Sequence, residues 1–123
     1  MATVKSPEHV AVMSTVEKYR LEVLARLADT VHQRRTMSAE KSYTAQLIGR
    51  GLPVCAKKLG EEAVEVAIAA ALGDRKALTA EVADLMFHLT VLLEAADLPL
   101  ADVMAELERR EGVSGIVEKA SRK

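Results

Sequence analysis

From Ser14 onward the apolar residues return every three or four positions, and no stretch of the chain alternates with period two. That periodicity restricts the chain to helices. Val16, Tyr19, Val23, Leu24, Leu27 and Val31 line one face of a first helix expected over about residues 14–35, and Ser14-Thr15-Val16-Glu17 has the form of a capping box at its start. Ser42 is placed to cap a short helix that ends at Gly49 or Gly51, where a left-handed terminal residue is easily accommodated. Pro53 is tolerated in the first turn of the next helix, which runs to Gly73, and Asp74 then caps another over about residues 75–96. Leu98-Pro99 interrupts the pattern, a further helix is expected over about 100–111, and Gly112-Val113-Ser114-Gly115 loosens the chain. These spacings predict an all-α, antiparallel bundle of about four to five helices over residues 14–112. Residues 1–13 are expected to be a flexible N-terminal tail and 113–123 a C-terminal tail.

A chain of 123 residues has room for one core and not two. Between Leu85 and Leu93 the only ionisable side chain is His88, and Met86, Phe87, Leu89, Val91 and Leu92 cover most directions around the helix axis. A helix that is apolar on several sides needs more cover than so small a chain supplies, so a homodimer is expected. The single Cys55 can form neither an internal disulfide nor a cysteine-based zinc site, and His9, His32 and His88 lack ligand spacing, which fits a reducing, cytoplasmic setting. No apolar run reaches about 18 residues and the first ten residues hold no hydrophobic signal core, so no membrane partner is expected.

The near-zero net charge conceals a division. Residues 1–60 carry 10 Lys+Arg and 5 Asp+Glu, whereas residues 61–123 carry 7 and 13. Tyr19, Tyr43 and Phe87 are the only aromatic residues, too few for base stacking, and no overall basic excess exists, so a nucleic-acid partner is not expected. Several site signatures are excluded directly. There is no phosphate-binding Gly-x-x-x-x-Gly-Lys-Ser/Thr loop and no Gly-x-Ser-x-Gly elbow, and Val54 stands where a dinucleotide fingerprint begun at Gly49 and Gly51 needs its third glycine.

Carboxylates and bases remain. Glu62-Ala63-Val64-Glu65 and Glu81-Val82-Ala83-Asp84 each set two acids three residues apart, on one side of a helix. Packed antiparallel across the Gly73-Asp74 turn, the two helices could bring all four acids together as hard oxygen ligands for Mg²⁺, with Mn²⁺ as an alternative. Spacing alone is weak, since 18 acids in 123 residues produce on the order of two or three such pairs by chance, and Glu94/Asp97 and Glu108/Glu111 share it. The first two pairs differ in lying among Ala, Val, Leu and Met, where a carboxylate must be paired, protonated or metal-bound. On pattern alone, a solvated helix edge accounts for them as well as a cation does. Lys57 and Lys58 precede the acids by about a turn, and Arg34, Arg35, Lys41 and Arg50 lie in or near the preceding loops. A cation beside basic side chains suits a polyphosphate ligand, while simple surface pairing with the neighbouring glutamates is the alternative.

Taken together, Ser42-Tyr43-Thr44, the run from Lys57 through Gly60-Glu61-Glu62 to Glu65, Glu81-Val82-Ala83-Asp84-Leu85 with His88, and Glu106-Leu107-Glu108-Arg109-Arg110 resemble the phosphoribosyl-ATP pyrophosphohydrolase family. That family belongs to the MazG-like all-α nucleotide pyrophosphohydrolases, whose shared motif is Glu-x-x-Glu followed by Glu-x-x-Asp. The resemblance covers roughly residues 20–112 and implies Mg²⁺-dependent hydrolysis of phosphoribosyl-ATP to phosphoribosyl-AMP and pyrophosphate, the second step of histidine biosynthesis. It implies Glu62, Glu65, Glu81 and Asp84 as metal ligands, Glu61 or Glu65 as the base, and Lys57 and Lys58 as phosphate contacts. Ser42, Tyr43 and Thr44 match a segment that shapes the substrate pocket. The chain departs from many relatives at Pro53-Val54-Cys55, which bears on the start of a helix more than on the site. His88, one turn after Asp84, is expected to pack or to orient a ligand and not to react, and Cys55 to be a small core residue. Two other functions stay open on these residues: a house-cleaning nucleoside triphosphate pyrophosphohydrolase of the same fold, and a non-enzymatic helical dimerisation module.

Overall fold

The computed structural model describes residues 14–113 and 115–122, without the side chain of residue 118; the tail expected over 1–13 lies outside the described residues. Every regular element among them is a helix: α1 Thr15–Tyr19, α2 Glu22–Arg34, α3 Tyr43–Gly49, α4 Leu52–Leu72, α5 Arg75–Ala95, α6 Leu100–Arg109 and α7 Gly115–Ser121. No helix among these residues is long and apolar enough to cross a membrane.

Local chemistry places the ends. The Ser14 hydroxyl accepts the Glu17 amide while the Glu17 carboxylate accepts the Ser14 amide, completing the capping box. Ser42 Oγ accepts from the Ala45 amide at 3.2 Å and Asp74 Oδ1 from the Ala77 amide at 3.0 Å, so both expected caps form. α4 ends at Gly73 with φ 70°, a left-handed residue that turns the chain back into α5. Between α3 and α4 the positive φ falls on Gly51 (99°), the N-cap of α4, whereas α3 itself closes through Arg50 in the right-handed region.

Among the described residues seven helices stand, six of them within residues 14–112 where four to five were expected. The first expected helix is broken at Arg20, which takes a left-handed conformation (φ 56°) after α1 and restarts the chain as α2. α1 buries no residue, while α2 presents Leu27 and Val31 to the core, so the break frees α2 to take its own direction. The 113–123 segment, read as a tail, contains α7.

α4 and α5 form the most extensively packed pair, and α2 and α3 close over their far ends, away from the Gly73 turn. There Val31, Leu47, Cys55 and Val91 are buried to 1% exposure or less, with Leu27, Ile48, Phe87, Leu92 and Ala95 packed against them. A polar clamp joins the C-terminal ends of α2 and α5. Arg35 Nη1 donates to the Glu94 carbonyl at 3.1 Å, to Glu94 Oε1 at 3.2 Å and to Asp97 Oδ1 at 2.6 Å, and His32 Nδ1 lies 2.8 Å from Glu94 Oε1. Burial of α5 is uneven. His88, Thr90 and Val91 are enclosed, but Met86 and Leu89 stay 46% and 41% exposed, where a groove of about 270 Å³ runs along Leu93, Val103, Met104 and Leu107.

Candidate functional site

The site follows from counting along the hairpin. Glu62 and Asp84 each lie eleven residues from Gly73, and Glu65 and Glu81 each lie eight. With a rise of about 1.5 Å per residue, each pair stands at one height on two antiparallel helices, about 16 Å and about 12 Å from the turn. The same register pairs Cys55 with Val91, Lys58 with His88 and Ala69 with Ala77, and positions 55, 58, 62, 65 and 69 follow the three-four spacing of a single helix face. One seam thus holds a core layer, a basic layer, two acidic layers and a small apolar layer in succession.

Packing bears out that order. Glu62, Glu81 and Asp84 each offer a carboxylate oxygen, and the three atoms lie within 4.8 Å of one another. Glu65 is exposed at the rim of this group, beside Glu81 on a cleft of about 220 Å³ floored by Ile68, Ala69, Leu72 and Ala77. Glu62 Oε2 and Glu81 Oε2 are buried with no hydrogen-bond partner. Desolvation, then the neighbouring carboxyls of Glu65, Asp84 and Glu81, push the Glu62 carboxyl up to about 7. Glu81 is raised as well, chiefly by a hydrogen bond shared with Glu65 and then by burial. Crowded acids with orphaned oxygens are costly for a protein to keep ionised, and a hard divalent cation relieves both repulsion and desolvation. Glu62, Glu81 and Asp84, with Glu65 at the edge, could hold one.

The basic layer adjoins these acids. His88 is 7% exposed, and its Nε2 lies 3.9 Å from Glu62 Oε1. Burial holds the imidazole below its usual range, with Asp84 and Glu61 pulling it up and Lys58 pushing it down. Lys58 Nζ is 3.6 Å from Glu61 Oε2, so Glu61 is engaged on α4 itself, and Lys57 is exposed. The Ser42-Tyr43-Thr44 segment reaches the same end through one side chain. Ser42 and Thr44 are buried, Ser42 as the α3 cap, whereas Tyr43 is half exposed and stacks on Phe87 with centroids 6.2 Å apart. The Tyr43 ring also stands edge-on to His88 at 6.2 Å, and Phe87 does so at 5.2 Å. The contact of His88 with Glu62 and the aromatic pair beside it were not assigned from sequence. The hairpin register, which sets His88 one turn beyond the layer of Glu62 and Asp84, is the signal that points to the first.

The helical end carrying Glu106 behaves differently. Arg109 donates to both Glu106 oxygens, at 2.8 and 2.9 Å, and Arg110 Nε donates at 3.0 Å, which holds the Glu106 carboxyl down at about 2. These residues bind one another along α6.

Comparison with known proteins gives a consistent picture. Residues 24–111 match the family described as phosphoribosyl-ATP pyrophosphohydrolase. Proteins named phosphoribosyl-ATP pyrophosphatase are similar over most of the chain. One from Dinoroseobacter shibae is 55% identical over 102 residues, 83% of this chain and 100% of that protein. One from Novosphingobium aromaticivorans is 57% identical over 101 residues, 82% and 94% of the two chains, and one from Rhizobium etli is 54% identical over 99 residues, 80% and 92%.

Proposed function

Because the chain belongs to the phosphoribosyl-ATP pyrophosphohydrolase family, we propose that the acidic seam between α4 and α5 is the centre at which it acts. The chain is a hydrolase that converts phosphoribosyl-ATP to phosphoribosyl-AMP and pyrophosphate in histidine biosynthesis. Glu62, Glu65, Glu81 and Asp84 hold Mg²⁺, or Mn²⁺ in its place. The observation that carries this assignment is the meeting of three carboxylates from two helices within 4.8 Å, with two of their oxygens buried and unpartnered. A cation held by these residues would supply Lewis-acid chemistry, neutralising phosphate oxygens and lowering the pKa of a water for attack at phosphorus.

The chain's own residues supply the rest. Lys57 and Lys58, a turn or slightly more before Glu62, face the remaining triphosphate charge. Glu65, exposed at the rim, is the carboxylate placed to take a proton from the attacking water, while Glu61 is drawn toward Lys58. The exposed half of Tyr43 forms a wall of the pocket, and Ser42 and Thr44 support it from beneath. The protein works in the cytoplasm as a homodimer, with a second MazG-like bundle covering the apolar face left by α5 and α6.

Release of pyrophosphate from phosphoribosyl-ATP, ATP and dCTP, with and without Mg²⁺, tests the proposal. Mg²⁺-dependent turnover of phosphoribosyl-ATP alone is expected, and Glu62→Gln should reduce it by at least about 100-fold through loss of a Lewis-acid ligand. Metal-independent turnover, or a fully active Glu62→Gln enzyme, would remove the acidic seam from the chemistry. Turnover of the plain nucleotides would move the protein to a house-cleaning role.

A further inference from the structure

We propose that His88 is a positioning residue that fixes the carboxylate plane of Glu62, so that one Glu62 oxygen is held while the other is presented to the cation. The proposal rests on the metal assignment of the acidic seam. The last torsion of a glutamate is broad and roughly two-fold, so no rotamer preference sets the direction of its oxygens. A site that needs one oxygen aimed inward must restrain that torsion from outside.

The structure supplies the restraint across the helix pair. His88 Nε2 lies 3.9 Å from Glu62 Oε1, Glu62 Oε2 is buried without a partner, and the Glu62 carboxylate contributes an oxygen to the group formed with Glu81 and Asp84. The separation is beyond hydrogen-bond range, and hydrogen bonds within active sites are often long before loading and tighten afterwards. The imidazole itself has a fixed direction. It is 7% exposed, with the Phe87 ring nearly perpendicular at 80° and 5.2 Å and the Tyr43 ring at 88° and 6.2 Å. With its proton on Nε2, an imidazole held by aromatic neighbours is a donor that does not wander. Metal-binding carboxylates are commonly hydrogen-bonded in turn, and the loss of such partners weakens metal affinity.

Mn²⁺ binding, followed by electron paramagnetic resonance and by calorimetric titration, separates positioning from packing. His88→Leu and His88→Phe remove the donor, and Phe keeps an aromatic ring in the niche. His88→Gln keeps a donor near Nε2, because the glutamine amide nitrogen superposes on that atom and not on Nδ1. Both donorless variants are expected to bind Mn²⁺ about 10- to 100-fold more weakly, with His88→Gln recovering most of the affinity. Either donorless variant, folded by circular dichroism and binding Mn²⁺ as tightly as the wild type, would overturn the proposal. So would a folded His88→Gln as weak as the donorless pair. If the wild-type protein binds no Mn²⁺, the metal assignment itself falls, a result distinct from a failure of His88 alone.

Discussion

At Glu62 a single carboxyl links the fold to pH. Its folded pKa, pushed up to about 7 from the ordinary 4.5, means that the folded protein holds this proton more tightly than the unfolded chain does. Protonation therefore contributes stability that is present at low pH and is lost as pH rises from about 4.5 through about 7. Glu81, raised for related reasons, acts in the same direction, whereas His88, held below its usual range, favours the folded state as pH rises. Substitution at residue 62 tests this contribution together with its effect on the neighbouring carboxyls. For the metal-free protein, the melting temperature of the wild type relative to Glu62→Gln should fall steadily between about pH 5 and about pH 8, and Mg²⁺ should offset the fall by binding the ionised form. Differential scanning calorimetry across that range measures it, and a difference that does not change with pH would show that Glu62 titrates normally.

At the level of elements, the α4–α5 hairpin is a ruler with Gly73 as its origin. The acidic pairs meet because Glu62 and Asp84, and Glu65 and Glu81, lie equally far from that turn. Inserting one alanine inside α4, between Ala70 and Ala71, rotates Glu62 and Glu65 by about 100° about the helix axis relative to the Gly73 turn, or, if packing holds the face, shifts them by about 1.5 Å along it. Either response separates the carboxylates without removing a side chain. The insertion variant should keep most of its helical circular dichroism yet lose Mn²⁺ binding. Retained tight binding would show that the hairpin register does not build the site. The break at Arg20 illustrates the reverse dependence, since the capping box at Ser14 and the apolar spacing through Val31 are compatible with one continuous helix. Where α2 must lie against α3 and α5 decides that it is not.

For the whole molecule the main question is what covers the apolar face. Met86, Leu89, Met104 and Leu107 are 41–53% exposed around the α5–α6 groove, and Val64, Ile68 and Leu72 form a second exposed stripe on α4 at 53–78%. Exposed apolar surfaces of this kind on a chain of 13.3 kDa support the proposed homodimer. Sedimentation equilibrium should give twice the chain mass, and Leu89→Asp combined with Leu107→Asp should shift the protein toward monomer. A wild-type monomer at micromolar concentration would exclude the homodimer.

Much of this protein is legible in short stretches of sequence, because caps and helical periodicity depend on residues three or four apart. Ser14, Ser42 and Asp74 cap where their side chains predict, Gly73 turns the hairpin, and the acids of residues 62, 65, 81 and 84 stand three apart on the two helices it joins, whereas Glu94 and Asp97, equally spaced among equally apolar neighbours, are held by Arg35. The family was legible for the same reason, in motifs each confined to a few residues. What local spacing could not supply were the contacts made between distant positions: the left-handed Arg20, the Tyr43 ring beside Phe87 and His88, the withdrawal of Ser42 and Thr44 into the interior, and Glu65 at the rim while three acids converge. His88 and Glu62 are twenty-six residues apart in the chain and 3.9 Å apart in space. That proximity exists because packing fixes how two helices are rotated against each other, a choice no single turn of either helix contains.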